Sequence, residues 1–254
     1  MTMSVDLVLD NLGLILIGLG LLLLLAFTIA AWRGFRPPLR DLGAYRTLPE
    51  QVGQAVESGG RLHVSVGPGG LIGRETGTTL AALSVLDAAS TASVIGDELP
   101  VATTGDATTL LAAADTLRRA YERVDDLEKY ETKAARLVAL DATAMAAGAT
   151  SIIADDDVQA NVLVGSFGPE AALMMEAGYR QRIPQTLGSD RLEGQAVALA
   201  MADHALIGEE VYAARAYLDG TPPSVGGLAA EDILRWVIVA LIAAGVVLET
   251  LGML

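Results

Sequence analysis

Residues 61–73 read Arg61-Leu-His-Val-Ser-Val-Gly-Pro-Gly-Gly-Leu-Ile-Gly73, and this stretch decides the fold class. Its first half, Arg61 to Val66, alternates and is rich in branched residues, the pattern of a β-strand. Its second half, Gly67 to Gly73, is a glycine-rich loop. Directly downstream, Thr78 to Ala89 places Leu80, Leu83 and Leu86 at helical spacing. The unit is strand, loop, helix, and it recurs along the chain.

Ala92 to Ile95 and Pro100 to Thr103 read as short strands, the second leading through Thr104-Gly105-Asp106 into a helix carrying Leu110, Leu111, Leu117 and Tyr121. Asp106 suits an N-cap, because its carboxylate accepts from the unpaired N–H groups of the first turn. Arg136 to Leu140 reads as a strand with a helix from Asp141 to Ala154 behind it. Asn161-Val-Leu-Val-Gly-Ser166 is the clearest strand, and Phe167-Gly-Pro-Glu170 turns from it into a helix through Tyr179. Ile183 to Leu187 reads as a last strand, followed by helices over Leu192–Ala202 and Gly208–Leu218. Repeated strand–helix units predict an α/β fold: a Rossmann-like, mostly parallel sheet with helices on both faces.

Two long apolar segments bracket this domain. One runs uncharged from Asn11 to Trp32, and the other from Trp236 to Leu254 is interrupted only by Glu249. About 20 mostly apolar residues cross a hydrocarbon core, so both read as transmembrane helices. The expected plan is a first span over 1–34, a Pro-containing connector over 35–60 and the α/β domain over 61–220. A linker over 221–235 then leads to the second span over 236–254. Arg33, Arg36 and Arg40 follow the first span and Arg235 precedes the second, whereas Asp6 and Asp10 precede the first. Basic residues mark the cytoplasmic flank, which predicts an inner-membrane protein with its domain in the cytosol and both termini outside. A cleaved signal is the rival reading, but the n-region is acidic and the apolar run exceeds the usual 7–15 residues or so.

Composition narrows the chemistry. The chain has 254 residues, no Cys and a formal net charge of −14. Disulfides and thiolate chemistry are excluded. Nucleic acid needs a basic footprint that this chain lacks. No Gly-Lys-Ser/Thr P-loop is present, and no motif names a cofactor.

Ligands of open α/β sheets bind outside the carboxyl ends of the strands. The candidate binding residues are therefore Gly67, Gly69, Gly70, Gly73, Thr104, Asp106, Asp141, Gly165, Ser166 and Gly168. Glycine lets a phosphate approach the backbone at a helix N-terminus. However, the spacing departs from G-x-G-x-x-G and Pro68 removes a donor, and glycine-rich turns are generic in such folds. Asp87 and Asp97 are candidate ribose-binding acids. Ser166 partially matches a nucleophile elbow but lacks the flanking glycine pattern, and His63, inside a strand, reads as a packed residue. Asp155-Asp-Asp157 could hold a hard cation or simply form an acidic surface loop. Asp203, His204, Glu209 and Glu210 form a polar cluster that could bind metal or cap a helix start. Glu249 is a functional candidate because an intramembrane carboxylate is costly, or it lies at the headgroups.

The stretches Asn161-Val-Leu-Val-Gly-Ser-Phe-Gly168 and Ala202-Asp-His-Ala-Leu-Ile-Gly-Glu-Glu-Val-Tyr212 resemble a family of uncharacterised bacterial membrane proteins, a domain of unknown function. The resemblance implies spans around an α/β domain and carries no activity. Two functional expectations follow. The first is a non-enzymatic, self-assembling scaffold or component of a membrane complex, since small residues (Gly13, Gly18, Gly20, Ala240, Ala243, Ala244, Gly245) recur in the spans, where they permit close helix packing. The second is a nucleotide- or dinucleotide-binding sensor or enzyme using Gly67–Gly73.

Overall fold

The structure is a computed structural model and describes residues 11–94 and 100–252. The expectations on Asp6, Asp10, Asp97 and Ile95 lie outside those residues. The chain divides into two compact units: an α/β unit, Arg40–Leu218, and a second unit made of the segments up to Leu39 and from Asp219.

Helix α1 is Leu12–Trp32, and the first helix of the α/β unit is α2, Gly43–Glu57. Then follow β1 (Arg61–Gly67), α3 (Thr76–Ser93), β2 (Val101–Thr104), α4 (Ala107–Arg123) and β3 (Ala135–Leu137). After these come α5 (Ala142–Asp155), β4 (Val158–Gly165), α6 (Ala171–Gln181), β5 (Gln185–Ser189), α7 (Leu192–Met201) and β6 (His204–Ile207). A 3-10 segment, Gly208–Ala213, and a short α8, Ala214–Leu218, close the unit. All five strand pairings are parallel, in the order β3-β2-β1-β4-β5-β6. This is the order of dinucleotide-binding sheets, with its switch point between β1 and β4.

Helices cover both faces. On one, α5, α6 and α7 pack Met145, Ile153, Met174, Met175 and Ala198 against Leu163 and Leu187. On the other, α2 and α3 bring Leu48 and Val85 onto Val162, Val164 and Leu206. The first face also carries a buried polar row across four strands. Thr103 Oγ1 bonds His63 Nε2 at 2.9 Å, His63 Nδ1 bonds Asn161 Oδ1 at 2.7 Å, and Asn161 Nδ2 donates to Gln185 Oε1 at 3.0 Å. Asn161 Oδ1 accepts, so His63 carries its proton on Nδ1, and Nε2 accepts from the Thr103 hydroxyl. A neutral ring satisfies the row. Burial accordingly lowers the His63 pKa to about 4, although the Asn161 bond opposes the shift; Arg136 lowers it further and Asp156 raises it.

Several expectations change. The strand expected at 92–95 is helix through Ser93, with Val94 in a 3-10 turn, because Ala89, Ser90 and Ser93 continue the buried face of α3. The strand expected over Arg136–Leu140 is Ala135–Leu137 alone. His204–Ile207, read as part of a polar cluster before a helix, is the edge strand β6. The connector contains α2, despite Pro49 inside it. Proline in a helix interior costs about 3 kcal/mol. Burial of Tyr45, Leu48 and Val52, at about 1.5–3 kcal/mol each, offsets it.

The second unit contains α1 and α9, Pro222–Thr250, which are long and apolar enough to cross a membrane. The stretch expected as a linker over 221–235 instead lies, from Pro222 on, within α9, which has Pro222 and Pro223 in its first turn. Gly226 stays helical because α1 passes against it: a Cβ there would fall 2.7 Å from the Thr28 backbone N. Gly227 faces Leu24 and Gly20 faces Leu234, so the two helices run antiparallel. Glu249 lies in the last turn of α9.

Two outcomes are expected. A neutral buried histidine stabilises the fold fully above its unfolded pKa of about 6.5, and that stability is lost as pH falls toward its folded value, by roughly 3 kcal/mol over that window. Denaturation midpoints of His63→Gln should therefore fall less steeply than wild type between about pH 7 and about pH 4; parallel slopes would contradict the neutral-ring row. In the cysteine-free chain, a Leu24→Cys/Gly227→Cys pair should cross-link on oxidation, and adding Gly226→Leu should lower the yield several-fold.

Candidate functional site

The strand ends at the switch point meet through glycine. Gly67, at φ +86°, lies against Gly165: a Cβ on Gly165 would fall 2.5 Å from Val66 O, and one on Gly67 would fall 3.2 Å from Gly165 Cα. The turn after β1 and the turn after β4 therefore touch, and Phe167 is wholly buried beneath them. Ser166 is only 2% exposed, so it is a packed residue and no accessible nucleophile. Thr104 is buried too, its Oγ1 donating to Gly67 O at 3.3 Å and accepting from Asp106 N at 3.2 Å.

The side chains along this edge are acidic and hydroxylic. Asp106, just past β2, caps α4: its Oδ1 accepts from Thr108 N at 2.8 Å and Thr109 N at 3.0 Å, and from the Thr108 hydroxyl. The Thr108 hydroxyl bond, then the Thr109 backbone bond, hold its pKa below the ordinary carboxylate value. Its Oδ2 stands beside Gly70. Thr109 Oγ1 donates to Gly69 O at 2.9 Å and fixes the glycine loop to α4. Glu75 precedes α3, and its Oε2 would lie 3.1 Å from a Cβ on Gly69. Asp190, following β5, accepts from Thr78 Oγ1 at 2.6 Å, and Tyr212 OH pairs with the same hydroxyl at 3.1 Å.

Two polar atoms here lack partners. Thr79 is 0% exposed, its Oγ1 has no hydrogen bond, and it too would lie 3.0 Å from a Cβ on Gly69. Asp190 Oδ1 is likewise buried without a partner. Buried polar groups in folded proteins are nearly always satisfied, which makes these two atoms exceptions at this edge. The Thr76-Gly-Thr-Thr79 run after the glycine loop shows hydroxyls but not which of them lacks a partner, and Glu75, Thr78, Thr79, Asp190 and Tyr212 were not among the expected site residues.

The remaining candidates are dispersed. Asp141 caps α5 through Ala144 N at 2.9 Å. Gly73 lies exposed in the loop at φ +114°. Gly168 N donates to Glu170 Oε1 at 2.7 Å. The sheet separates the polar cluster, since β6 runs between its two halves. Asp203 accepts from Gln185 N at 2.8 Å at one end and His204 begins the strand, while Glu209 and Glu210 follow the other end. Glu210 accepts from Ile207 N at 2.9 Å and pairs with Arg40, which is a capping role. Asp155–Asp157 lie before β4, at the edge opposite the glycine loop, with Asp156 paired to Arg136. Asp87 lies within α3 and pairs with Arg123, far along the helix from any strand end. Among the described residues no three His, Cys, Asp or Glu side chains converge as metal ligands.

If the Thr79 hydroxyl is an unmet donor, removing it relieves a desolvation penalty. Thr79→Val should stabilise the chain by about 1 kcal/mol; a loss of similar size would show that the hydroxyl is already satisfied. No curated protein and no solved structure matches the chain. The model of one family, Domain of unknown function (DUF6754), matches residues 6–254, and the chain belongs to that family.

Proposed function

We propose that this protein is a membrane-anchored, non-enzymatic binding domain that takes a small, hydroxyl-rich ligand of nucleoside type at the carboxyl edge of its sheet. The carrying observation is the buried, unpartnered Thr79 Oγ1 against the Gly67–Gly73 loop, at the edge where such sheets bind ligands. Carboxylates recognise ribose hydroxyls in this fold, and Asp106 stands past β2 with Glu75 and Asp190 nearby along the edge. Glu75 also narrows the ligand. A pyrophosphate seated at a helix N-terminus needs that end free of negative charge, and Glu75 precedes α3. A nucleoside fits this edge better than a dinucleotide.

The anchor reading rests on α1 and α9, and the arginines at 33, 36, 40 and 235 favour a cytoplasmic α/β unit. A second reading, the self-assembling scaffold, has its own support. Gly20, Gly226 and Gly227 serve the pairing of α1 with α9, but Gly13, Gly18 and Gly245 have nothing within 4 Å. Small residues left open in this way suit packing against a second copy. A monomer in both mild detergent and native membranes would remove it.

The binding test uses the full chain in nanodiscs, challenged separately with adenosine, AMP and NAD. Ligand binding to the folded state raises the melting temperature with concentration. Adenosine should stabilise at least as well as NAD, and Thr79→Val, though more stable alone, should respond about tenfold more weakly, the loss expected for one buried hydrogen bond. A Thr79→Val response equal to wild type, or stabilisation by none of the three, would count against the reading.

A further inference from the structure

The acids of the carboxyl edge are not equivalent. Asp141 caps α5 through Ala144 N, Glu170 accepts from Gly168 N, and Asp190 Oδ2 accepts from Thr78 Oγ1. Asp106 Oδ1 takes three bonds at the start of α4, from Thr108 N, Thr109 N and the Thr108 hydroxyl. Glu75 differs. It directly precedes α3 yet makes no capping bond, and its half-buried carboxylate has no hydrogen-bond or ion-pair partner among the described residues. It therefore keeps its full accepting capacity, two oxygens with about four lone-pair sites. A hydroxyl in the same condition lies beside it. Glu75 Oε2 and Thr79 Oγ1 stand 3.1 and 3.0 Å from the position of a Cβ on Gly69, and Thr79 is wholly buried and unpartnered. Thr79 follows one helical turn after Glu75, its N–H donating to Glu75 O at 2.9 Å. Both oxygens thus face one point on the glycine loop, where the absence of a side chain leaves room for close approach.

We infer, resting on the nucleoside reading above, that Glu75 recognises the sugar: its carboxylate accepts from both hydroxyls of a ribose cis-diol, and Thr79 donates to one of them. Two neighbouring hydroxyls present two donors on one side, which matches an acceptor-only carboxylate, and each such bond is charge-assisted. A phosphate in this place would meet the negative charge of Glu75 instead. The diol occupies the helix start at which sheets of this strand order seat a pyrophosphate. Because Gly69 covers Thr79, the sugar reaches that hydroxyl by lifting the loop, at the expense of the bond from Thr109 Oγ1 to Gly69 O. The ligand class is a ribonucleoside with its 2′ and 3′ hydroxyls both free.

The test compares adenosine, 2′-deoxyadenosine and 3′-deoxyadenosine by isothermal titration of the full chain in nanodiscs, with empty nanodiscs as the blank. Each deoxy compound should bind about tenfold or more weakly than adenosine, the loss expected for one bond to a charged group. In Glu75→Ala the three should bind equally and weakly, with the circular dichroism spectrum unchanged. Deoxy compounds that match adenosine on the wild type, or a Glu75→Ala chain that still discriminates, would overturn the inference and leave the nucleoside reading standing. No binding of adenosine at all would remove that reading and the inference together. Thermal stabilisation by magnesium ions alone, lost in Glu75→Ala, would also overturn it by assigning the carboxylate to a cation.

Discussion

The contact between Gly67 and Gly165 joins the two halves of the sheet where they diverge, and the geometry of the carboxyl edge depends on it. A methyl group at either position would meet the opposite backbone at 3.2 Å or closer. Because the two turns touch, the loop after β1 cannot lie open across the switch point. It is carried outward toward α4, where Thr109 and Asp106 hold it. The two turns meet backbone to backbone at the switch point, and the polar groups beside the loop are Glu75, Asp106 and the buried Thr79. The strand order is that of dinucleotide-binding sheets, whereas the edge is acidic.

The polar row beneath the sheet is the second constraint. Thr103, His63, Asn161 and Gln185 span β2, β1, β4 and β5, and each bond fixes the relative position of neighbouring strands. A parallel sheet with interchangeable Val and Ala contacts is tolerant of slippage by two residues; a satisfied polar chain is not. The row therefore sets register, and register sets which residues arrive together at the carboxyl edge.

Much of this fold was legible in the sequence, for identifiable reasons. Val-rich strands such as 161–165 are buried on both faces and read as continuous apolar runs. Asp106 announced its helix as a cap. Other elements were hidden by local signals that tertiary contacts override. Pro49 argued against a helix that burial of Tyr45, Leu48 and Val52 holds in place. Gly226 fell in the expected linker, and its lack of a side chain is what lets Thr28 approach it within α9. His204–Ile207 is a four-residue edge strand, too short for periodicity to register. Of the candidate site, the glycine loop and Asp106 were found because glycine and acid stand out in a strand-to-helix turn. Thr79 and Asp190 were not, because a missing hydrogen bond is a property of three-dimensional arrangement and leaves no trace in residue type.

The central claim is that the carboxyl edge is incomplete without a small ligand. Native mass spectrometry of the intact chain, gently released from membranes, tests it most directly. The account requires a species heavier than the bare chain by the mass of a small organic molecule, and loss of that adduct in Thr79→Val. Bare chain mass, alone or in whole multiples, with the same spectrum from the variant, would contradict it.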